Sequence, residues 1–150
     1  MLANYPELIC CVAGWLVSSL LKIPVYYFLH RKVNFALAFG TGGMPSSHAA
    51  TMTATTLAIG LFSGFDHPAF AIAVAISMIV IYDAAGVRRE AGYHAEALNK
   101  LVDEFFAISK TPLVDQKRMK EMLGHTPIEV VGGVLTGLAT TLVLWLIWPK

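Results

Sequence analysis

The run Gly42-Gly43-Met44-Pro45-Ser46-Ser47-His48 interrupts a chain that is apolar on both sides. Glycines free the backbone, proline suits the first turn of a helix, and the unbonded amides of that turn face an approaching anion. Gly42 and Gly43 therefore read as a backbone cradle, Ser46 and Ser47 as hydroxyl donors, and His48 as a proton donor to a departing oxygen. Phosphate is the anion that this set suits. Glycine, proline and serine also punctuate ordinary helix starts, so the run needs partners. Lys22, Arg31, Arg88 and Arg89 supply positive charge, and Asp83 precedes the arginine pair. A second histidine, His125, is followed four residues later by Glu129, and residues four apart share a helix face. A carboxylate there holds an imidazole in the tautomer needed for attack. Thr126 and Glu129 also spell Thr-x-x-Glu, a capping box that requires no catalysis.

These residues must be positioned by elements that sit in a bilayer. The 150 residues are 56% hydrophobic and only 14% charged, with a mean hydropathy of +0.62, which excludes an ordinary water-soluble fold. Four segments approach the ~20 residues that a helix needs to cross the hydrocarbon core: 8–29, 45–62, 69–85 and 128–148. The expected fold is thus an all-α integral membrane bundle of four transmembrane helices, forming a single membrane-embedded domain over 1–150. Pro24 kinks the first span near Lys22, and Asp66 with Pro68 reads as the cap and first turn of the third. Between the third and fourth spans, Leu98, Leu101, Val102, Phe105 and Phe106 recur at helical spacing among Glu96, Lys100, Asp103 and Glu104, the pattern of an interfacial amphipathic helix. A short helix is expected at 115–123, stopped by Gly124. Neighbouring Cys10 and Cys11 lie in an apolar run and suit packing, not a disulfide. The acidic start of the chain, with Glu7, predicts no removable leader.

Threading four spans puts 30–45 and 86–126 on one face, with both termini and 63–67 on the other. Arg31, Lys32, Arg88, Arg89, Lys100, Lys110, Lys117, Arg118 and Lys120 lie on the first face, and Lys150 on the second. The positive-inside rule makes the first face cytoplasmic and both termini external, in a multi-pass protein of the cell membrane. A charge at membrane depth costs about 2.5–3.5 kcal/mol unless paired or hydrated, so Lys22 and Asp83 near span ends imply a polar cavity. The net charge of +1, without a basic run, excludes nucleic acid as a partner.

The segments GGMPSSH, DAAGVRREAG and LGHTPIEV together resemble the divergent branch of the type 2 phosphatidic acid phosphatase superfamily, which is related to vanadium-dependent haloperoxidases. The likeness covers nearly the whole chain. It implies a phosphate surrounded by a lysine and an arginine from one motif, a Pro-Ser-Gly-His motif, and an arginine followed by a nucleophilic histidine with an aspartate four residues on. Carried over, Ser46 takes the serine position, His48 the acid position, and Ser47 replaces glycine. Lys22 and Arg31 resemble the first motif, with eight intervening residues where the parent pattern has six. Arg88 or Arg89 supplies the later arginine. The nucleophile has two claimants. His94 has the parent spacing from Arg88, but Leu98 stands where the carboxylate belongs. His125 is distant from the arginines in sequence yet carries Glu129, and is favoured.

The reading is an integral membrane phosphatase that hydrolyses a lipid phosphate or isoprenyl diphosphate at the cytoplasmic face. Catalysis is assigned to His125, His48 and Glu129, with His94 as runner-up nucleophile. Substrate binding is assigned to Lys22, Arg31, Gly42, Gly43, Ser46, Ser47, Asp83, Arg88 and Arg89. No cofactor and no metal are expected, because no ligand spacing is present. The resemblance carries vanadate haloperoxidase chemistry as a remote option without its own signal. The partners are membrane lipids and the lipid substrate, and GGVLTG permits a homodimer or close packing within one chain. The alternative function is a non-catalytic protein that binds or transports a phosphorylated lipid or anion.

Overall fold

The computed structural model describes residues 5–40, 42–109, 119 and 124–149. They form helices and no strands. The order is α1 (Pro6–His30), a 3-10 helix (Phe35–Phe39), α2 (Ser47–Ala58) continued by a π-helical turn (Ile59–Ser63), α3 (Pro68–Ala85), α4 (Val87–Ser109) and α5 (Pro127–Ile147). Among the described residues, three stretches are long and apolar enough to cross a membrane: Pro6–His30, Pro68–Ile108 and Pro127–Ile147. The run expected as a second span consists of 12 α-helical and five π-helical residues. The short helix expected at 115–123 lies outside the described residues, apart from Met119.

Local chemistry explains the boundaries. Ser46 caps α2 by accepting from the Ala49 amide at 3.3 Å. Thr126 and Glu129 cap α5 reciprocally, and Pro127 occupies its first turn. α3 opens with Pro68 as expected, but its cap is His67, whose Nδ1 accepts from the Ala69 amide at 3.2 Å, and not Asp66. An imidazole with a free lone pair serves the orphan amide as well as a carboxylate would. Between α3 and α4 only Gly86 leaves helical geometry, with φ −107° and ψ −88°. Asn99 of α4 clasps the backbone of Met119 twice: its Nδ2–H donates to the carbonyl at 2.9 Å and its Oδ1 accepts the amide at 3.1 Å.

α2 is the centre of the bundle and packs against α1, α3 and α5. Small residues make this approach feasible, because in a bilayer helices associate through close van der Waals contact more than through hydrophobicity. Ala49, Ala50, Ala54 and Ala58 are fully buried. A methyl at Gly14 of α1 would meet Ala54, and methyls at Gly133 and Gly137 of α5 would run into the α2 backbone at Ser46 and Ala50. The glycines of GGVLTG are thus occupied inside the chain. Polar side chains finish the seams: Thr141 donates to the Ala54 carbonyl at 3.2 Å, and Thr56 and Ser77 hydroxyls pair at 2.7 Å between α2 and α3.

Candidate active site

The start of α2, the entry of α5, the junction of α3 with α4 and Lys22 of α1 are joined to one another by three sets of hydrogen bonds and one close backbone contact. The Ser46 amide donates to the Glu129 carbonyl at 2.9 Å, joining the first turn of α5 to the cap of α2. The His125 amide donates to the Ala84 carbonyl at 2.9 Å, fixing the entry of α5 to the end of α3. Lys22 of α1 donates from Nζ to the Gly40 carbonyl at 2.9 Å and to Ser47 Oγ at 3.1 Å. Gly124 lies so close to Arg88 and Arg89 that an added methyl would run into their backbone, and its φ of +94° suits glycine alone.

Two histidines face each other at this junction. The His48 and His125 rings have centroids 5.8 Å apart, crossed at 63°. His125 is only 1% exposed. Its Nδ1–H donates to Glu129 Oε2 at 3.1 Å, and the same oxygen accepts the Thr126 amide at 3.1 Å. Capping box and His–Glu pair are therefore one arrangement, in which a single carboxylate serves both. Because a carboxylate only accepts, the proton sits on Nδ1 and the lone pair on Nε2. That Nε2 is buried without a described partner, as is Nδ1 of His48. Both nitrogens thus keep their hydrogen-bonding capacity for a bound group.

Lys22 and Arg88 bring positive charge near His48. Lys22 is 1% exposed, and among the described residues no carboxylate lies within 4 Å of its Nζ. Arg88 donates from Nε to Asp83 Oδ2 at 2.7 Å across the Gly86 break, which leaves its two outer nitrogens clear of that bond. Arg89 donates from Nε to the Tyr93 hydroxyl at 3.0 Å. Ser46 and Ser47 are buried at the α2 start, and Gly42 and Gly43 lie just ahead of it, Gly43 with φ +88°. A cavity of about 390 Å³ reaches Ser47 and His48.

Two expected residues stay apart from this set. Arg31 is the exposed left-handed end of α1, about 13 Å along the helix axis from Lys22 at 1.5 Å per residue. His94 is exposed on α4, with exposed Leu98 one turn on. Sequence reasoning missed Tyr93, although its position four residues after Arg89 was a usable signal. It also missed the Lys22–Ser47 bond, for which a 25-residue separation offers no local cue.

The chain matches the Divergent PAP2 family over residues 3–140. It belongs to that family. A relative described as "Uncharacterized membrane protein YuiD", from Bacillus subtilis (strain 168), is 40% identical over 152 residues, covering 96% of this chain and 96% of its own length. No solved structure matches. With three long apolar helices, this Divergent PAP2 protein is a membrane protein.

The tight seat of Gly124 yields a stability prediction. Gly124→Ala both strains a positive φ and collides with the Arg88–Arg89 backbone, so it is expected to lower stability by about 1–3 kcal/mol. Thermal unfolding of the purified protein measures this; an unchanged midpoint would mean that the α5 entry is not held against the arginine pair.

Proposed function

We propose that this protein is a membrane phosphatase that hydrolyses a lipid phosphate or isoprenyl diphosphate through a phosphohistidine at His125. The supporting observation is the His125 geometry: Nδ1–H held by Glu129, and Nε2 buried, unpartnered and next to His48. Nε2 attacks the terminal phosphorus, its bond to the leaving oxygen breaks, and His48 donates a proton to that oxygen, so that an alcohol leaves from a monophosphate and an isoprenyl monophosphate from a diphosphate. Water then attacks the phosphohistidine, giving a proton to His48 and releasing phosphate with His125 restored. Lys22, the outer nitrogens of Arg88 and Arg89, and the first amides of α2 neutralise the three phosphoryl oxygens. Glu129 stabilises the imidazolium character that develops on His125. Asp83 orients Arg88. His94, exposed on α4, has the weaker claim as nucleophile.

In this reading α2 and its π-helical turn form a fourth, central crossing, whose lipid contact is reduced by α1, α3 and α5 around it. α4 lies at the interface on the cytoplasmic side, and both termini are external, as the lysine and arginine distribution supports. A cysteine placed near Lys117 is expected to react with a membrane-impermeant maleimide only after the cytoplasmic side is opened. Labelling of intact cells would reverse the orientation.

The deciding assay is phosphate release by the purified protein from a panel of lipid phosphates. One observation favours the alternative, an anion-binding or transport protein without turnover: Arg88 is paired with Asp83 and Arg31 stands at the surface, so the cationic set is thinner than the motifs imply. Saturable binding of lipid phosphates with no release of phosphate would select it.

A further inference from the structure

α4 carries two seams. On one side Gly92, Ala95 and Asn99 are buried within the chain, Val102 and Phe106 are half-buried, and Asn99 clasps the Met119 backbone. The other side is open. Ala91, His94, Leu98, Leu101, Phe105 and Ile108 are all exposed. Their spacing alternates strictly between three and four residues, the period of a coiled-coil seam, which is narrower than the apolar face of an ordinary amphipathic helix. An open cavity of about 540 Å³ notches this row beside Leu101, Phe105 and Ile108. Lipid is a poor cover for it. A helix that rests on a bilayer carries lysine and arginine along its polar face, whereas past Arg89 α4 holds Lys100 against Glu90, Glu96, Asp103 and Glu104. Lys100 is itself bonded to Glu96 at 2.7 Å. His94 stands inside the apolar row, and a polar residue there sets the register between paired helices.

We infer that this open seam is a dimer interface, closed by α4 of a second copy running antiparallel. A two-fold dimer in one membrane has its axis along the membrane normal, and that axis turns two helices lying at the surface antiparallel. Ala91 then meets the partner's Ile108, His94 the partner's Phe105, and Leu98 the partner's Leu101. Small side chains face large ones at both ends, and the notch beside Phe105 and Ile108 receives the partner's His94 and Ala91. Parallel pairing would set Ala91 against Ala91, leaving a void, and Phe105 against Phe105, crowding the seam. The antiparallel register also puts Glu104 beside the partner's Ala97, within a turn of the partner's Lys100, and opposes no two acidic side chains along the seam. Gly133 and Gly137 are taken up by α2 and are not the contact. Pairing through α4 does not depend on turnover at His125.

The test uses the full-length protein in isolated membranes, oxidised with copper phenanthroline. The double variant Ala91→Cys/Ile108→Cys is expected to give a disulfide-linked dimer, because about 25 Å of helix keeps the two thiols of one chain apart. Each single variant, like the parent with its Cys10 and Cys11, is expected to stay at the mass of one chain. Glu96→Cys/Asp103→Cys, on the outer side of α4, is expected to do the same. Adding Leu98→Glu and Leu101→Glu to the first pair is expected to reduce the dimer by about tenfold or more, since each leucine loses its burial. Both leucines are exposed in the single chain, so retained helical circular dichroism separates lost pairing from lost folding. Dimers formed equally by the single variants would mean a parallel pair and overturn the inference. Absence of a dimer from the double variant overturns it as well. A solvent-sensitive fluorophore on Leu101→Cys that then emits as in hydrocarbon would give the seam to lipid.

Discussion

His125→Ala is expected to abolish phosphate release from every lipid substrate, while His94→Ala keeps activity near the parent level. The two histidines differ in what surrounds them. His125 is buried, carries Glu129 on Nδ1 and faces His48 with a free Nε2. His94 is exposed on α4, and the position four residues on is Leu98. A nucleophile cannot be replaced by its neighbours, so its removal leaves only what charge stabilisation achieves alone. His48→Ala is expected to reduce turnover by roughly 10²–10⁴, the usual worth of a general acid. Glu129→Gln keeps the size and the cap but removes the charge that balances an imidazolium, and is expected to slow the reaction while leaving thermal unfolding near that of the parent. Acid-labile phosphate trapped on the wild-type protein and missing from His125→Ala would identify the nucleophile directly. A dead His94→Ala protein beside an active, folded His125→Ala protein would transfer the role to His94.

The site was legible where its chemistry is local. Glu129 was legible as the partner of His125 from the Thr-Pro helix start, but His125 precedes the Thr126 cap, so the pair forms across the helix entry and not along a shared helix face. Serine, glycine and proline around His48 announced a helix start, and Ser46 caps it. Asp83 and Arg88, five residues apart across a glycine, are an ion pair. What remained hidden depends on distances between helices. Nothing near Ser47 announces that Lys22 will reach it, nor that the Ser46 amide will bond the Glu129 carbonyl. The span pattern read along α1 and α5 but was weakest along α2, because a central helix among close neighbours uses alanine and threonine for contact in place of large apolar side chains. Arg31 was chosen by motif likeness, and helical rise carries it away from Lys22. His67 replaced Asp66 as the α3 cap because two adjacent residues offered acceptors and the chain's path decided between them.

Lys22→Met is expected to lower turnover by about 10²–10³, as loss of one fixed charge donor does, and at the same time to leave the fold as stable as the parent or more so. The opposing signs follow from burial. Lys22 is enclosed; among the described residues the Gly40 carbonyl and Ser47 hydroxyl bond its ammonium, and Glu129, held by His125, acts on it from beyond ion-pair distance. Enclosing a charge costs free energy that only a close partner and good hydrogen bonds offset, and even buried ion pairs are often replaced by apolar side chains of similar volume with a neutral or stabilising effect of about 1–4 kcal/mol. In the proposed reaction the phosphate gives Lys22 a direct counter-charge. An anion that binds only the folded state stabilises it by about 2.7 kcal/mol at a hundredfold excess over Kd. A non-hydrolysable lipid phosphonate should therefore raise the unfolding temperature of the parent protein and not that of Lys22→Met. Lys22→Arg is not expected to rescue, since a planar guanidinium has a different reach from a compact ammonium in a space shaped for two hydrogen bonds. If Lys22→Met instead unfolds at lower temperature and still turns substrate over at the parent rate, the lysine is a prop for the Gly40 carbonyl and the site's positive charge comes from the arginine pair alone.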